Sequence, residues 1–273
     1  MAISIGVTTE LVERDGLRAS LGRAHAGARD GRGSLVFVGG EAGVGKTSLA
    51  RRFSADLLPA PVVWGACDPL ATPRPLGPLL DLAPELPGRL ATVLESEATP
   101  YDVVAALADA AQESALVVVL EDVHWADEAT LDVLRVAGRR IEGLPLLLVA
   151  TYRDDELDRA HPLRVVLGEL ATAIGVVRLE LPPLSADAVR TLAEPHGVDA
   201  DALHRSTGGN PFYVTEVLSA PAAAIPATVR DAVLARAARL SPPARELLER
   251  LAVVPGAADP ELIDAADEPL DEC

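Results

Sequence analysis

The sequence predicts an α/β fold, a parallel sheet flanked by helices and followed by a small all-helical part. Three observations predict it. Five short apolar runs alternate with stretches of helical periodicity, the pattern of a sheet whose strands are joined by crossover helices. A glycine-rich motif, Gly40-Glu41-Ala42-Gly43-Val44-Gly45-Lys46-Thr47, stands between the first apolar run and the first strong helix. Runs of strand type then stop after Pro182-Pro183.

The elements follow in order. Ser34–Val38 (SLVFV) is the first strand, and Val44–Leu58 is a helix with Leu49, Phe53 and Leu57 four apart. Pro61–Ala66 is the second strand. Residues 67–88 are proline-rich and predict no strong helix before Leu90. Val103–Ala111 has helical spacing. Ala115–Leu120 (ALVVVL) is apolar throughout, as a strand buried on both faces must be. Leu131, Leu134, Gly138 and Ile141 mark the next helix. Leu144–Ala150 and Gly175–Leu181 complete the strands. Beyond them Ser185–His196, Asp199–Ser206 and Pro211–Ser219 read as short helices. Pro221–Pro226 reads as a hinge. Val229, Val233 and Leu240 are expected to line one helix face, and Ser241-Pro242 opens a final helix. Residues 259–273 carry seven acidic and no basic side chains and read as a frayed tail.

Composition limits the function classes. The 273 residues are 49% hydrophobic and 24% charged, which excludes a disordered chain. Aromatics are only 3%, too few for a stacking platform for single-stranded nucleic acid. The net charge is −17, with the first 60 residues at +2 and the rest at −19. That balance argues against gripping DNA by broad electrostatics. Two cysteines far apart, no basic, apolar leader in MAISIGVTTE and no apolar run near ~18 residues lead to the expectation of a cytoplasmic chain without membrane contact.

Of the 24 basic residues 23 are arginine, and the single lysine is Lys46. The motif around it has the form GxxxxGK[ST], a phosphate-binding P-loop placed after a strand and before a helix. Its glycines let backbone N–H groups of Gly40 to Lys46 form a concave anion nest, to which the helix start through Thr47 and Ser48 adds its positive end. Lys46 supplies a compact charge for the β- and γ-phosphates where an arginine fork would be too wide. Thr47 supplies a hydroxyl for Mg²⁺. Such a loop needs an acid at the end of a neighbouring strand to organise the metal. Glu121-Asp122, about 75 residues further on, follow ALVVVL. By strand position Glu121 is assigned to Mg²⁺ and Asp122 to the attacking water.

His124-Trp125-Ala126-Asp127 comes next. Asp127 is either a functional acid or the N-cap of the following helix, with the cap favoured; His124 reads as structural and Trp125 as packing. Arg153 follows the fourth strand, on the ligand side of a parallel sheet. It either senses a γ-phosphate or pairs at the surface with Asp154 or Asp155.

Together these segments resemble the nucleotide-binding part of STAND-class AAA-like ATPases, especially the large ATP-binding LuxR-type transcriptional regulators of bacteria. The matching stretches are LVERDGLRASL (11–21), VGGEAGVGKTSL (38–49), DPLATPRPLGPLL (68–80), VVLEDVHWADEATL (118–131), LVATYRDDEL (148–157), LPPLS (181–185), TGGNPFYVTEV (207–217) and residues 225–251. The resemblance implies a P-loop NTPase domain over 1–182, a helical lid over 183–222 and a partial winged-helix segment with an acidic tail over 223–273. It implies ATP or ADP with Mg²⁺, and a nucleotide-driven regulatory switch with slow hydrolysis. It implies self-association in the ATP state, and contact with DNA only through a helix-turn-helix that this chain lacks. Arg14 falls in a leading segment that usually reads G-R-x-x-E near the adenine. Here Glu13 replaces the glycine and Leu17 the glutamate. Gly209-Asn210-Pro211 resembles the adenine-side turn of the lid, with Pro211 against the base; the residues alone allow equally a tight turn opening a helix. Alternative functions on the same residues are a nucleotide-holding scaffold with negligible turnover and a small-molecule phosphotransferase. A DNA-binding replication initiator fits the charge less well. Arg190 and Arg205 are the basic residues of segment 184–219, fewer than a phosphotransferase lid would need.

Overall fold

A computed structural model describes residues 11–86, 88–96, 98–220, 227–238 and 240–252. The chain begins with helix α1 (Asp15–Arg29), then β1 (Ser34–Gly39), α2 (Lys46–Asp56) and β2 (Val62–Ala66). The proline-rich stretch holds a short helix, α3 (Gly77–Leu80), before α4 (Arg89–Leu94) and α5 (Pro100–Ala110). Next come β3 (Leu116–Glu121), α6 (Glu128–Arg140), β4 (Leu146–Thr151), α7 (Pro162–Glu169) and β5 (Val176–Glu180). The helical part comprises α8 (Ala186–Ala193), α9 (Ala200–Thr207), α10 (Pro211–Ser219), α11 (Ala227–Ala237) and α12 (Pro242–Leu251).

The five strands form one parallel sheet in the order β2-β3-β4-β1-β5. β4 is the centre: Val149 pairs with Val36 of β1 on one side and Val119 of β3 on the other. This corrects one expectation. The acidic strand β3 does not neighbour the loop strand β1, because β4 lies between them. Period-2 alternation sends Leu35, Phe37, Val118 and Leu148 to the face covered by α5, α6 and α7. It sends Val36, Val38, Val117, Val119 and Val149 to the face covered by α1 and α2. Burying a Val or Leu side chain fully contributes roughly 1.5–3 kcal/mol, and β3 and β4 are buried from end to end save for Glu121. β5 is an edge strand and buries no residue fully, with Val177, Arg178 and Glu180 exposed.

The three short helices after β5 form as expected. Ser185, Asp199 and Asn210 cap α8, α9 and α10 through their side chains, and Leu184, Val189, Leu203 and Val214 make a small core of their own. Ser241 caps α12 by accepting from the Ala244 N–H. The single helix face expected to carry Val229, Val233 and Leu240 does not form. α11 buries no residue, Val233 and Leu234 are exposed, and Leu240 lies beyond the helix end. Apolar spacing marks a face but not what covers it. The expected hinge at 221–226, the acidic tail at 259–273 and the end of the winged-helix segment beyond residue 252 lie outside the described residues.

Candidate nucleotide-binding site

β1 runs into residues 40–45, and α2 starts at Lys46. Gly45 sits at the N-cap with φ 102° and offers no side chain to cap the helix. The backbone ladder begins with Leu49 N–H donating to the Gly45 carbonyl. The N–H groups of the first turn therefore have no intrahelical acceptor and face the loop, a ready anion site. Lys46 Nζ lies inside the loop and donates to the carbonyls of Gly40 (2.6 Å) and Glu41 (2.8 Å). Burial pulls its pKa down, and Asp122 opposes that pull.

Asp122 follows the end of β3 in a left-handed conformation, φ 55°. Its N–H donates to Thr151 Oγ1 of β4 at 3.1 Å, so the intervening strand fixes the acidic turn. Its carboxylate stands 3.9 Å from Arg153 Nε. Burial raises its pKa against the lowering pull of Arg153 and Lys46. These groups border a cavity of about 750 Å³. Gly43 to Ser48, Asp122 and Arg153 line its charged end. Leu11, Val12, Arg14, Leu184, Leu192, Pro211, Phe212 and Thr215 line the other. A volume of that size suits a nucleotide-sized ligand.

Of the residues singled out in the sequence, Gly43, Val44, Gly45, Lys46, Thr47, Ser48, Asp122, Arg153, Arg14 and Pro211 converge on this cavity. Gly40, Glu41 and Ala42 form the outer stretch of the loop rather than the cavity wall. Glu121 continues the alternation of Val117 and Val119, on the α2 face of the sheet, and does not line the cavity. Arg14 is buried and donates to the Pro182 carbonyl at 2.8 Å. Burial lowers its pKa, and Glu13 partly offsets this. Arg153 does not pair with Asp154 or Asp155. It pairs with Glu156 at 2.6 Å, while Asp155 pairs with Arg236 of α11 at 2.9 Å. Asp127 is a cap, accepting from the Thr130 N–H. His124 is buried, and burial brings its pKa down to about 4, so it is neutral near pH 7.

Sequence reasoning missed the direct contact of α10 with the loop. Asn210 caps α10 through Oδ1, and its Nδ2 donates to the Ala42 carbonyl at 2.9 Å. Phe212 N–H donates to the Gly43 carbonyl at 3.3 Å. Asparagine before proline signals a cap, but nothing local signals where the amide's second end goes. Glu156 was also missed; its spacing of three from Arg153 was the available signal.

The donors present fit Mg²⁺. No group of three or more histidine, cysteine or carboxylate side chains that could cage a metal occurs among the described residues. A hydroxyl at the start of α2 and a carboxylate after β3 suit a hard cation that keeps most of its waters and takes phosphate oxygens. No described helix is long and apolar enough to cross a membrane.

Fold and site thus define an ATPase-type nucleotide-binding domain with a P-loop. The AAA ATPase domain family matches residues 10–149, and the chain belongs to that family. It is 26% identical over 266 residues to the uncharacterized protein R02095 of Rhizobium meliloti (strain 1021). The match takes in 76% of this chain but only 24% of that protein, so the chain spans about a quarter of its relative's length. Among solved structures it is similar in fold to the Walker-type ATPase PABY2304 of Pyrococcus abyssi. That pair has a TM-score of 0.53 and 15% identity, covering 76% of this chain and 67% of the other. It is likewise similar to the Aeropyrum pernix Orc1 protein in complex with DNA, with a TM-score of 0.54 and 16% identity, covering 89% and 72%. At these identities the likeness concerns the fold.

Proposed function

We propose that this domain is an ATP-operated switch, the regulatory module of a LuxR-type, STAND-class transcriptional regulator, binding ATP with Mg²⁺ and hydrolysing it slowly. The observation that carries this reading is the cavity closed on one side by the P-loop and on the other by a lid that hydrogen-bonds the same loop. Occupancy at the phosphates and the position of the lid are then one mechanical question.

In this reading the α2 N–H groups and Lys46 bind the β- and γ-phosphates, and main-chain donors do most of the orienting. Thr47 would hold Mg²⁺ together with an acid of the Glu121-Asp122 pair, Glu121 being the one expected from strand position and Asp122 the one that lines the cavity; the ion would supply charge neutralisation at the phosphate oxygens. Asp122 accepts a hydrogen bond from the attacking water, and Arg153 meets the charge on the γ-phosphate. The apolar end around Leu184, Leu192 and Pro211 excludes water from the base, with Arg14 at its edge. Closing of the lid on ATP and its release after hydrolysis would alter the surface offered to partners. Self-association in the ATP state belongs to the proposal, as does contact with DNA only through a part outside this chain. So does a cytoplasmic setting.

Titration calorimetry of nucleotide-free protein with ATP and with ADP tests it. Binding of both, lost in Lys46→Ala, is expected; binding of neither overturns it. Phosphate release to water that falls in Asp122→Ala supports hydrolysis. Turnover unchanged by that substitution points instead to a nucleotide-holding scaffold.

A further inference from the structure

Three side chains form a closed triangle, and one of them, Arg153, lines the charged end of the cavity. Arg153 donates through one terminal nitrogen to Glu156 Oε1 at 2.6 Å. Trp125 Nε1–H donates to Glu156 Oε2 at 3.2 Å. The Arg153 guanidinium lies over the Trp125 ring, 4.7 Å from its centroid. Beneath them the buried His124 ring packs on Trp125 at 4.5 Å and accepts the Arg153 N–H through Nδ1 at 3.4 Å. The members come from two chain segments. Trp125 ends a 3-10 turn after β3, while Arg153 and Glu156 follow β4.

We propose that Glu156 and Trp125 are positioning residues for Arg153, and that the Trp125 ring reports whether a nucleoside triphosphate or a diphosphate occupies the cavity. The proposal rests on the nucleotide reading above for its ligand, but the triangle itself does not. A guanidinium has five N–H donors in a rigid fork. Glu156 engages one edge, which leaves donors for a group arriving from the cavity that Arg153 lines. The carboxylate and the ring restrict a side chain that is otherwise rich in rotamers. The guanidinium is thus preorganised beside Asp122, 3.9 Å away. A γ-phosphate offers a stronger anionic partner than a screened carboxylate. Arg153 would turn toward it about the retained Glu156 contact and uncover the indole face. ADP lacks that group and leaves the stack in place.

The chain has two tryptophans, Trp64 and Trp125. Trp64→Phe makes Trp125 the sole indole, and the unmodified protein, carrying both, provides a control for the effect of that change. Arg153→Ala is expected to change Trp125 emission in ligand-free protein; unchanged emission overturns the triangle. A non-hydrolysable ATP analogue is expected to shift the emission where ADP does not. Equal responses to both overturn the reporter. Glu156→Gln keeps the size of the side chain but removes its charge. It is expected to reduce the ratio of ATP-analogue to ADP affinity about fivefold, the size of one charge-assisted contact, with the melting temperature little changed. A purely structural Glu156 would lower the melting temperature and leave that ratio intact, which overturns the positioning role. If wild-type protein binds neither nucleotide in calorimetry, the nucleotide reading and the reporter fail together, while the ligand-free Arg153→Ala spectrum still decides the triangle.

Discussion

The two ends of the cavity are built from different material. The charged end comes from six consecutive residues, Gly43 to Ser48, joined by Asp122 and Arg153, and the head of α2 gives it main-chain N–H donors beside Lys46. The apolar end comes from three segments distant in the chain, Leu11–Arg14, Leu184–Leu192 and Pro211–Thr215, and is made by their side chains. A cradle of backbone at the head of one helix keeps its shape as long as that helix stays folded. A wall assembled from three segments depends on how α8 and α10 pack against the loop. In the proposed switch, binding strength would belong to the first end and responsiveness to the second.

The largest effect is expected at the charged end. Lys46→Ala removes a buried ammonium, and ATP affinity should fall about 100-fold or more, since charge-assisted phosphate contacts are lost. Calorimetry reads this directly. A loss below about fivefold would move the weight of binding to the apolar end and break the contrast. Gly43→Ala strikes the joint between the two ends. Gly43 has φ +79°, and a Cβ there would stand 2.8 Å from Phe212 Cβ. Left-handed backbone costs an alanine roughly 1–2 kcal/mol, and Phe212 must also shift. Affinity should drop about tenfold and the melting temperature should fall by several degrees. A variant that loses affinity without any change at Phe212 would show the ends to be uncoupled.

What could be read in the sequence divides along the same line. The loop was legible because its chemistry is local: strand, glycines, lone Lys46 and helix follow one another within fifteen residues. The caps Asp127 and Ser241 were legible for the same reason. The place of β4 between β1 and β3 was not, since an apolar run such as LLLVA states that it is buried but not beside which strand. Arg153's partner was misread because the nearest acids in sequence are Asp154 and Asp155. The turn closed by Leu157 N–H on the Asp154 carbonyl brings Glu156 back to the guanidinium instead. The Asn210 bond to Ala42 spans 168 residues, and no window on the chain contains both ends.

That bond carries the next prediction. Asn210→Ala removes both the cap on Phe212 N–H and the donation to Ala42, worth about 1–2 kcal/mol together. Amide exchange in α10 should quicken about tenfold, as 1.4 kcal/mol implies, with β1, β3 and β4 unchanged. Asn210→Asp keeps the cap but loses the donor and sets a negative charge beside the phosphate cradle. It should hold α10 in place yet weaken ATP more than Asn210→Ala does. The reverse ranking would mean that the bond serves the lid's own fold rather than its link to the loop.

The smallest effect concerns Glu13, which ties the Leu11–Arg14 segment to the lid. Its carboxylate accepts from the Ser185 N–H at 2.9 Å and from the Ser185 hydroxyl. These bonds hold its pKa below the ordinary 4.5, the hydroxyl contributing most. The ionised form is thus favoured in the folded state. Its stabilisation is fully present above pH 4.5 and is lost as pH falls through the lowered value. The residue is exposed, so the contribution stays under about 1 kcal/mol after screening. The same residue pays a backbone cost, for its φ is 59°, in the left-handed region. Glu13→Gln keeps that strain and loses the charge, so it should melt slightly earlier at pH 7 and together with wild type in acid. Glu13→Gly loses the bonds but relieves a left-handed conformation worth about 1 kcal/mol. Its melting temperature should lie close to wild type at pH 7 and above it in acid. If Glu13→Gly instead melts below wild type at every pH, the strain at Glu13 is negligible and its tie to Ser185 does not account for its place in the apolar wall.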